Sequence, residues 1–214
     1  MRNADTQIGS AGSSSASRQT YVTGGAVKAA CEAVRERWTK PLQPGEYIEE
    51  TVEWRHKPTF KLDEDGQGDA HFQFAFSAHR AVVDVDTELG LVRVVEIATA
   101  QDVGKAINPQ AVEGQIEGGI AQGLGLALME EIQVVDGEVR NASFTDYLIP
   151  TVLDMPPVKL DVLELGDPEA PYGLRGIGEP PTISSTPAIV SALRNATGAA
   201  LARVPVRPDD IVGL

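Results

Sequence analysis

Cysteine is almost missing from this chain: among 214 residues only Cys31 is present. An internal disulfide, a cysteine zinc site and a cysteine-ligated iron–sulfur cluster are thereby excluded within it. Histidine is nearly as scarce, and His56, His71 and His79 do not have the spacing of a metal motif. Positive charge is also short, since 18 Lys and Arg against 31 Asp and Glu leave a net charge of −13. Nucleic-acid footprints are basic, so no nucleic-acid partner is expected. No apolar run approaches the roughly 18 residues of a transmembrane helix. Met1, Arg2, Asn3, Ala4 and Asp5 lack the apolar centre of a secretion signal. The expectation is a soluble cytoplasmic protein without a membrane partner.

Hydrophobic residues at 42% over this length suffice for a real core. The first 23 residues are polar, and residues 9–18 are rich in serine and glycine. Composition leaves two readings open there: a flexible leader, or a loop offering N–H groups and hydroxyls to an anion. Ala26, Ala29, Ala30, Ala33, Val34 and Trp38 then recur at helical spacing, which predicts a helix over about 24–38. Cys31 falls inside it and reads as a buried structural thiol. Residues 45–71 read as a surface excursion of strand and loop. Alternation predicts strands at 72–76, 81–86 and 91–98, the last two forming an antiparallel hairpin.

Val112, Ile116, Ile120, Leu124 and Leu128 form an i, i+4 ladder, so a helix is expected over 109–131. Yet Gly114, Gly118, Gly119, Gly123 and Gly125 lie within it, each costing about 1 kcal/mol against alanine. Close approach by another backbone or a ligand would account for them. Gln115 and Gln122 share a face, with two glycines between them. Spacing leaves both a cofactor-facing surface and tight helix packing open. Asp136 and Gly137 signal a two-residue hairpin turn, residues 158–163 alternate as a strand, and Thr186 with Pro187 reads as the start of a helix over 186–197.

Gly173, Gly176 and Gly178 precede Glu179, Pro180 and Pro181. Glycines let a backbone approach a ligand, and Pro180 biases Glu179 towards an extended conformation. A carboxylate on a stiff loop suits a general base, although an ordinary loop glutamate gives the same pattern. The Lys-Ser/Thr of a phosphate loop and the Gly-x-Ser-x-Gly of a serine hydrolase are both missing.

Taken together, the serine-rich residues 12–19, the stretch from Gly114 to Gly125 and the Gly-Ile-Gly-Glu-Pro-Pro segment resemble the molybdenum-binding subunit of the xanthine dehydrogenase family of molybdenum hydroxylases. The likeness covers nearly the whole chain and corresponds to the C-terminal, second molybdopterin-binding domain, so residues 1–214 are expected to form one partial subunit. The resemblance implies that Glu179 is the catalytic base and that Gln115 approaches the oxo group of the metal. It also implies that Gly178, Ser14, Ser15, Ala16, Ser17, Arg18 and Gln19 contact the cofactor, with no residue ligating molybdenum directly. The implied cofactor is molybdenum–molybdopterin, in plain or cytosine-dinucleotide form. Implied partners are the remaining half of the molybdenum subunit and subunits carrying FAD and [2Fe-2S] clusters. The implied reaction is hydroxylation of a purine such as xanthine at an electron-poor carbon, with oxygen from water. Its alternatives are an aldehyde or another N-heterocycle as substrate, or a non-catalytic fragment without metal. The expected fold is α+β, with antiparallel hairpins packed against the glycine-rich helix.

Overall fold

The computed structural model describes residues 13, 15 and 17–214. Three helices and a small mixed sheet make up its ordered frame. Helix α1 spans Gln19–Arg37, α2 spans Pro109–Leu128 and α3 spans Pro180–Thr197. Strands β1 (Phe76–Asp86) and β2 (Leu91–Asp102) form an antiparallel hairpin with a bulge between Val82 and Val83. Strands β3 (Val134–Val135) and β4 (Glu138–Val139) form a separate hairpin. Strand β5 (Val158–Leu163) adds to β2 in parallel, giving the order β1-β2-β5.

The α+β class is the expected one, and its particulars add to the sequence reading. Parallel pairing requires a long crossover. Here α2 and the β3–β4 hairpin supply it between β2 and β5. Helix α3 lies on β1, and α2 packs along α3. Ile116, Ile120 and Leu124 of α2 then share one core with Ile97 of β2, Ile189 and Leu193 of α3, and Val206 and Ile211 of the tail. Asp136 and Gly137 have φ of 52° and 79°. Two consecutive left-handed residues are what a type I′ hairpin turn requires.

Several boundaries differ from expectation, each for a physical reason. Helix α1 starts at Gln19 rather than near residue 24, because the Gly24–Gly25 pair reads as a break but is helical. Gly25 is needed there, since an added Cβ would stand 2.6 Å from the Trp54 ring. Cys31 is exposed, not buried. Only Tyr21 and Gly25 of α1 are fully buried, so that helix is only partly covered within the described chain. Residues 72–75 are not a strand; Phe72 turns onto Tyr21 at a ring-centroid distance of 4.7 Å and stacks on His56 at 3.9 Å. Helix α2 ends at Leu128, because the Gly125 carbonyl accepts both the Met129 and Glu130 amides at 2.8 and 2.7 Å.

Helix α3 begins at Pro180, with Glu179 at the N-cap, so Pro187 sits inside the helix. Pro180 and Pro181 fit the first turn, where a missing N–H costs nothing. Thr186 is not a cap; its hydroxyl donates to the Gly123 carbonyl of α2 at 2.9 Å. Among the described residues no helix is long and apolar enough to cross a membrane.

Candidate cofactor-binding site

Three helices start near one cavity of about 460 Å³. Ser17, Gln19 and Thr20 bring the start of α1, and Asn108, Ala111, Val112 and Gln115 bring the first turns of α2. Arg175, Ile177 and Gly178 bring the loop that leads into α3, and Lys105 adds a cation. Asn108 caps α2 through its side chain, accepting the Ala111 amide at 3.0 Å. Helix N-termini carry partial positive charge, so this end of the molecule suits an anion.

The loop before α3 is pressed against Ser17. Glu179 donates its backbone N–H to Ser17 Oγ at 2.8 Å. A Cβ on Gly176 would collide with the Ser17 carbonyl. A Cβ on Gly178 would stand 3.3 Å from Ser17 Oγ and 3.5 Å from Gln115 Oε1. Residues 17, 115 and 178 thus meet although about 60 to 160 positions separate them. Ser17 takes a left-handed φ of 53° to do so. A non-glycine residue in that region is uncommon and tends to mark functional sites.

The carboxylate of Glu179 is exposed and forms no hydrogen bond or ion pair with another described residue. The cavity lining ends at Gly178, one residue before it. Gln115 is exposed on α2, and its amide is not engaged by any described residue. Arg18 donates from Nε to the Ser13 carbonyl at 3.0 Å, and the Ser15 carbonyl accepts the Arg18 amide at 3.4 Å. Gln19 lines the cavity. Ser14 and Ala16 lie outside the described residues. Gln122 takes the packing alternative: its Oε1 accepts from Thr182 Oγ1 of α3 at 3.0 Å.

Sequence reasoning assigned no role to Arg175 or Asp102. Arg175 Nε lies 2.9 Å from Asp102 Oδ2 at the end of β2. This is an ion pair rather than a well-aimed hydrogen bond, since that oxygen has no partner of good geometry and the Nε–H points to the Leu165 carbonyl at 3.4 Å. Asp167 stands 3.8 Å from Arg175 Nη1. Burial works against the charged form of Asp167, yet the Gln73 amide, the Glu169 N–H and the Arg175 guanidinium outweigh it and lower its pKa. The one available signal in the sequence was a single arginine set among Gly173, Gly176 and Gly178.

The donor set fits a phosphate-bearing cofactor: helix N-termini, Lys105, an open Gln115 amide, and glycines where a side chain would intrude. Comparison with known proteins points the same way. The molybdopterin cofactor-binding domain family matches residues 43–156, just over half of the chain. A probable xanthine dehydrogenase subunit of Bacillus subtilis is 38% identical over 66% of this chain and 19% of its own length. The aldehyde oxidoreductase of Megalodesulfovibrio gigas is 31% identical over 94% of this chain and 23% of its own length. The solved structure of the aldehyde oxidoreductase from Desulfovibrio gigas superposes with a TM-score of 0.81 at 29% identity, covering 94% of this chain and 23% of that one. The chain spans about a fifth of the length of these relatives. Family match, relatives and superposition agree with the cavity's donor set: the chain belongs to the molybdopterin cofactor-binding domain family of the molybdenum hydroxylases.

Proposed function

We propose that residues 1–214 form the C-terminal cofactor-binding domain of a cytoplasmic molybdenum hydroxylase, and that the assembled enzyme hydroxylates a purine of the xanthine type. The observation that carries this reading is the meeting of Ser17, Gln115 and Gly178 at one cavity, with Glu179 anchored through Ser17. When bound, molybdenum–molybdopterin supplies a two-electron acceptor for oxidation of an electron-poor carbon with oxygen from water.

Each of the site residues has a definable task in that reading. Glu179 accepts a proton at its carboxylate, acting as general base. Its backbone N–H is tied to Ser17 Oγ at 2.8 Å, and Pro180 and Pro181 stiffen the chain after it. Base catalysis needs that fixed geometry. Gln115 offers amide N–H donors to an oxygen of the cofactor. Gly178 keeps the wall between Ser17 and Gln115 open. Ser14, Ser15, Ala16, Ser17, Arg18 and Gln19 contact the cofactor in this reading, in plain or cytosine-dinucleotide form.

Partners complete the enzyme in this reading: the rest of the molybdenum subunit, and subunits with FAD and [2Fe-2S] clusters. The single cysteine supports placing the clusters elsewhere. Exposed apolar side chains support a covering protein. Phe144, Val152 and Leu153 are 82%, 87% and 92% exposed, and Ile132, Val134 and Leu148 are more than half exposed. Exposed apolar side chains gathered within residues 132–153 suit an interaction surface.

A second reading has its own support. The aldehyde oxidoreductase superposes over 94% of this chain, more than the xanthine dehydrogenase relative aligns, which favours an aldehyde as substrate. The deciding experiment purifies the tagged chain with its native partners, measures molybdenum per polypeptide, and assays xanthine against an aromatic aldehyde. About one molybdenum per chain with faster xanthine turnover supports the first reading, and faster aldehyde turnover the second. A chain recovered alone and without molybdenum overturns both.

A further inference from the structure

Arg175 is the last charged side chain before Glu179, and only 15% of it is exposed. Three separate segments hold its guanidinium. Nε lies 2.9 Å from Oδ2 of Asp102, whose side chain is 2% exposed at the end of β2. Nη1 donates to the Phe74 carbonyl at 2.6 Å and stands 3.8 Å from Asp167 Oδ2. Its backbone N–H donates to the Val103 carbonyl at 3.0 Å. Asp102 in turn accepts the Gly104 and Leu165 amides on Oδ1 at 3.0 and 3.2 Å. Gln73 braces the same cluster, donating from Nε2 to Asp167 Oδ2 and to the Leu174 carbonyl, each at 2.9 Å.

A buried ion pair is a poor source of net stability, because apolar replacements of the same volume are often as good or better. Its better-attested use is to select one register over others. The register at stake here is visible. The residue after Arg175 is Gly176, which lies against the Ser17 carbonyl with no room for a Cβ. Three residues later the Glu179 amide meets Ser17 Oγ at 2.8 Å. A shift of the loop by a fraction of a residue would break both contacts.

We propose that Arg175, clamped by Asp102, is the positioning residue that fixes the register of residues 176–179 against Ser17 and so sets where the Glu179 carboxylate stands. Arginine is required because its rigid fork directs Nε–H to the Leu165 carbonyl and Nη1–H to the Phe74 carbonyl while its charge pairs with Asp102. Lysine would keep the charge but offer a single flexible point. The catalytic consequence rests on the reading of Glu179 as the base; the clamp itself does not.

The test uses the chain in its native assembly, with Arg175→Lys, Asp102→Asn, the double variant Arg175→Lys/Asp102→Glu, and Glu179→Gln as a control. Amide hydrogen exchange is followed over residues 173–183, and α2 residues 116–124 serve as the internal reference. The expected result for both single variants is at least tenfold faster exchange in the loop, with α2 unchanged. Turnover on the preferred substrate should fall about 100-fold with KM within about threefold, since a misplacement near 1 Å costs that much. The double variant, pairing a longer acid with the shorter cation, should recover about tenfold of the lost kcat. Unchanged loop exchange overturns the proposal. Equal loosening of α2 also overturns it, because the pair would then be a prop for the whole fold. Glu179→Gln should leave loop exchange as in wild type. If it also keeps its turnover, the base assignment falls while the exchange data still decide the clamp.

Discussion

Helix α2 uses glycine in opposite ways on its two faces. On the face against α3, a Cβ at Gly119 would stand 2.7 Å from Pro181 Cβ, and one at Gly123 would collide with the Ser185 hydroxyl. Those glycines let two helices approach closely. On the other face Gly114 and Gly118 have nothing within 4 Å of an added Cβ, and Gln115 beside them is exposed. The same residue type carries the same helix penalty in both places. Gly119 and Gly123 recover it inside the chain, as does Gly125 against Glu130 and Pro150, whereas Gly114 and Gly118 do not do so among the described residues. The open first turns of α2 therefore follow a requirement that the described residues do not meet, in keeping with a bound cofactor or a covering protein.

Substitutions on each side can break that contrast or sharpen it. The largest effect is expected at the open side, where Glu179→Gln in the assembled enzyme should lower kcat about 10²- to 10⁴-fold. Thermal unfolding of that variant should match wild type, because the exposed carboxylate makes no hydrogen bond or ion pair with a described residue. On the packed side Ile120, fully buried, should behave in the reverse way. Ile120→Ala should destabilise by about 2–5 kcal/mol in urea titration, while enzyme that remains folded should keep its KM. The glycines divide next. Gly123→Ala should cost about 1–3 kcal/mol through overpacking. Gly118→Ala should stabilise the chain by about 1 kcal/mol and weaken molybdenum retention, measured as metal per chain. Equal stability changes for Gly118→Ala and Gly123→Ala would dissolve the contrast.

The smallest effect concerns the seam between β1 and α3. Burial lowers the pKa of His79, whose Nδ1 lies 2.8 Å from Ser184 Oγ. With the folded pKa below the unfolded value near 6.5, the unfolded chain binds the proton more readily. That share of stability is full above about pH 6.5 and is lost as the pH falls through the lowered pKa. Urea midpoints should decline below about pH 6.5, and less steeply in His79→Gln.

Legibility in the sequence followed the kind of signal. The α2 ladder was plain, because apolar residues four apart continue from Val112 to Leu128, a run longer than an ordinary strand. The β3–β4 turn was equally plain, because Asp-Gly specifies a left-handed pair. Helix α3 was misread at its start because Thr186-Pro187 has every mark of a cap, while the hydroxyl is in fact used by Gly123. Residues 72–76 alternate like a strand, yet Phe72 belongs to the aromatic cluster over α1. The direction of β5 was not legible, since alternation is the same in parallel and antiparallel strands. Site residues stood out one motif at a time. Their meeting at Ser17 was not readable, because spacing along the chain carries no information about contacts 162 residues apart. Arg175 and Asp102 were missed for the same reason: a lone charge in a loop looks solvated until the fold buries it.

The hydrogen bond from the Glu179 amide to Ser17 Oγ has a consequence in time as well as in space. It joins residues 162 positions apart, so most of the chain must leave the ribosome before the bond can form. Elements such as the β1–β2 hairpin can fold while synthesis continues, since domains and their parts fold from the N-terminal side as they emerge. The loop bearing Glu179 cannot be seated then. If the proposed function holds, cofactor loading into a finished site is a post-translational event, and a nascent chain that ends before residue 179 lacks the Glu179 carboxylate.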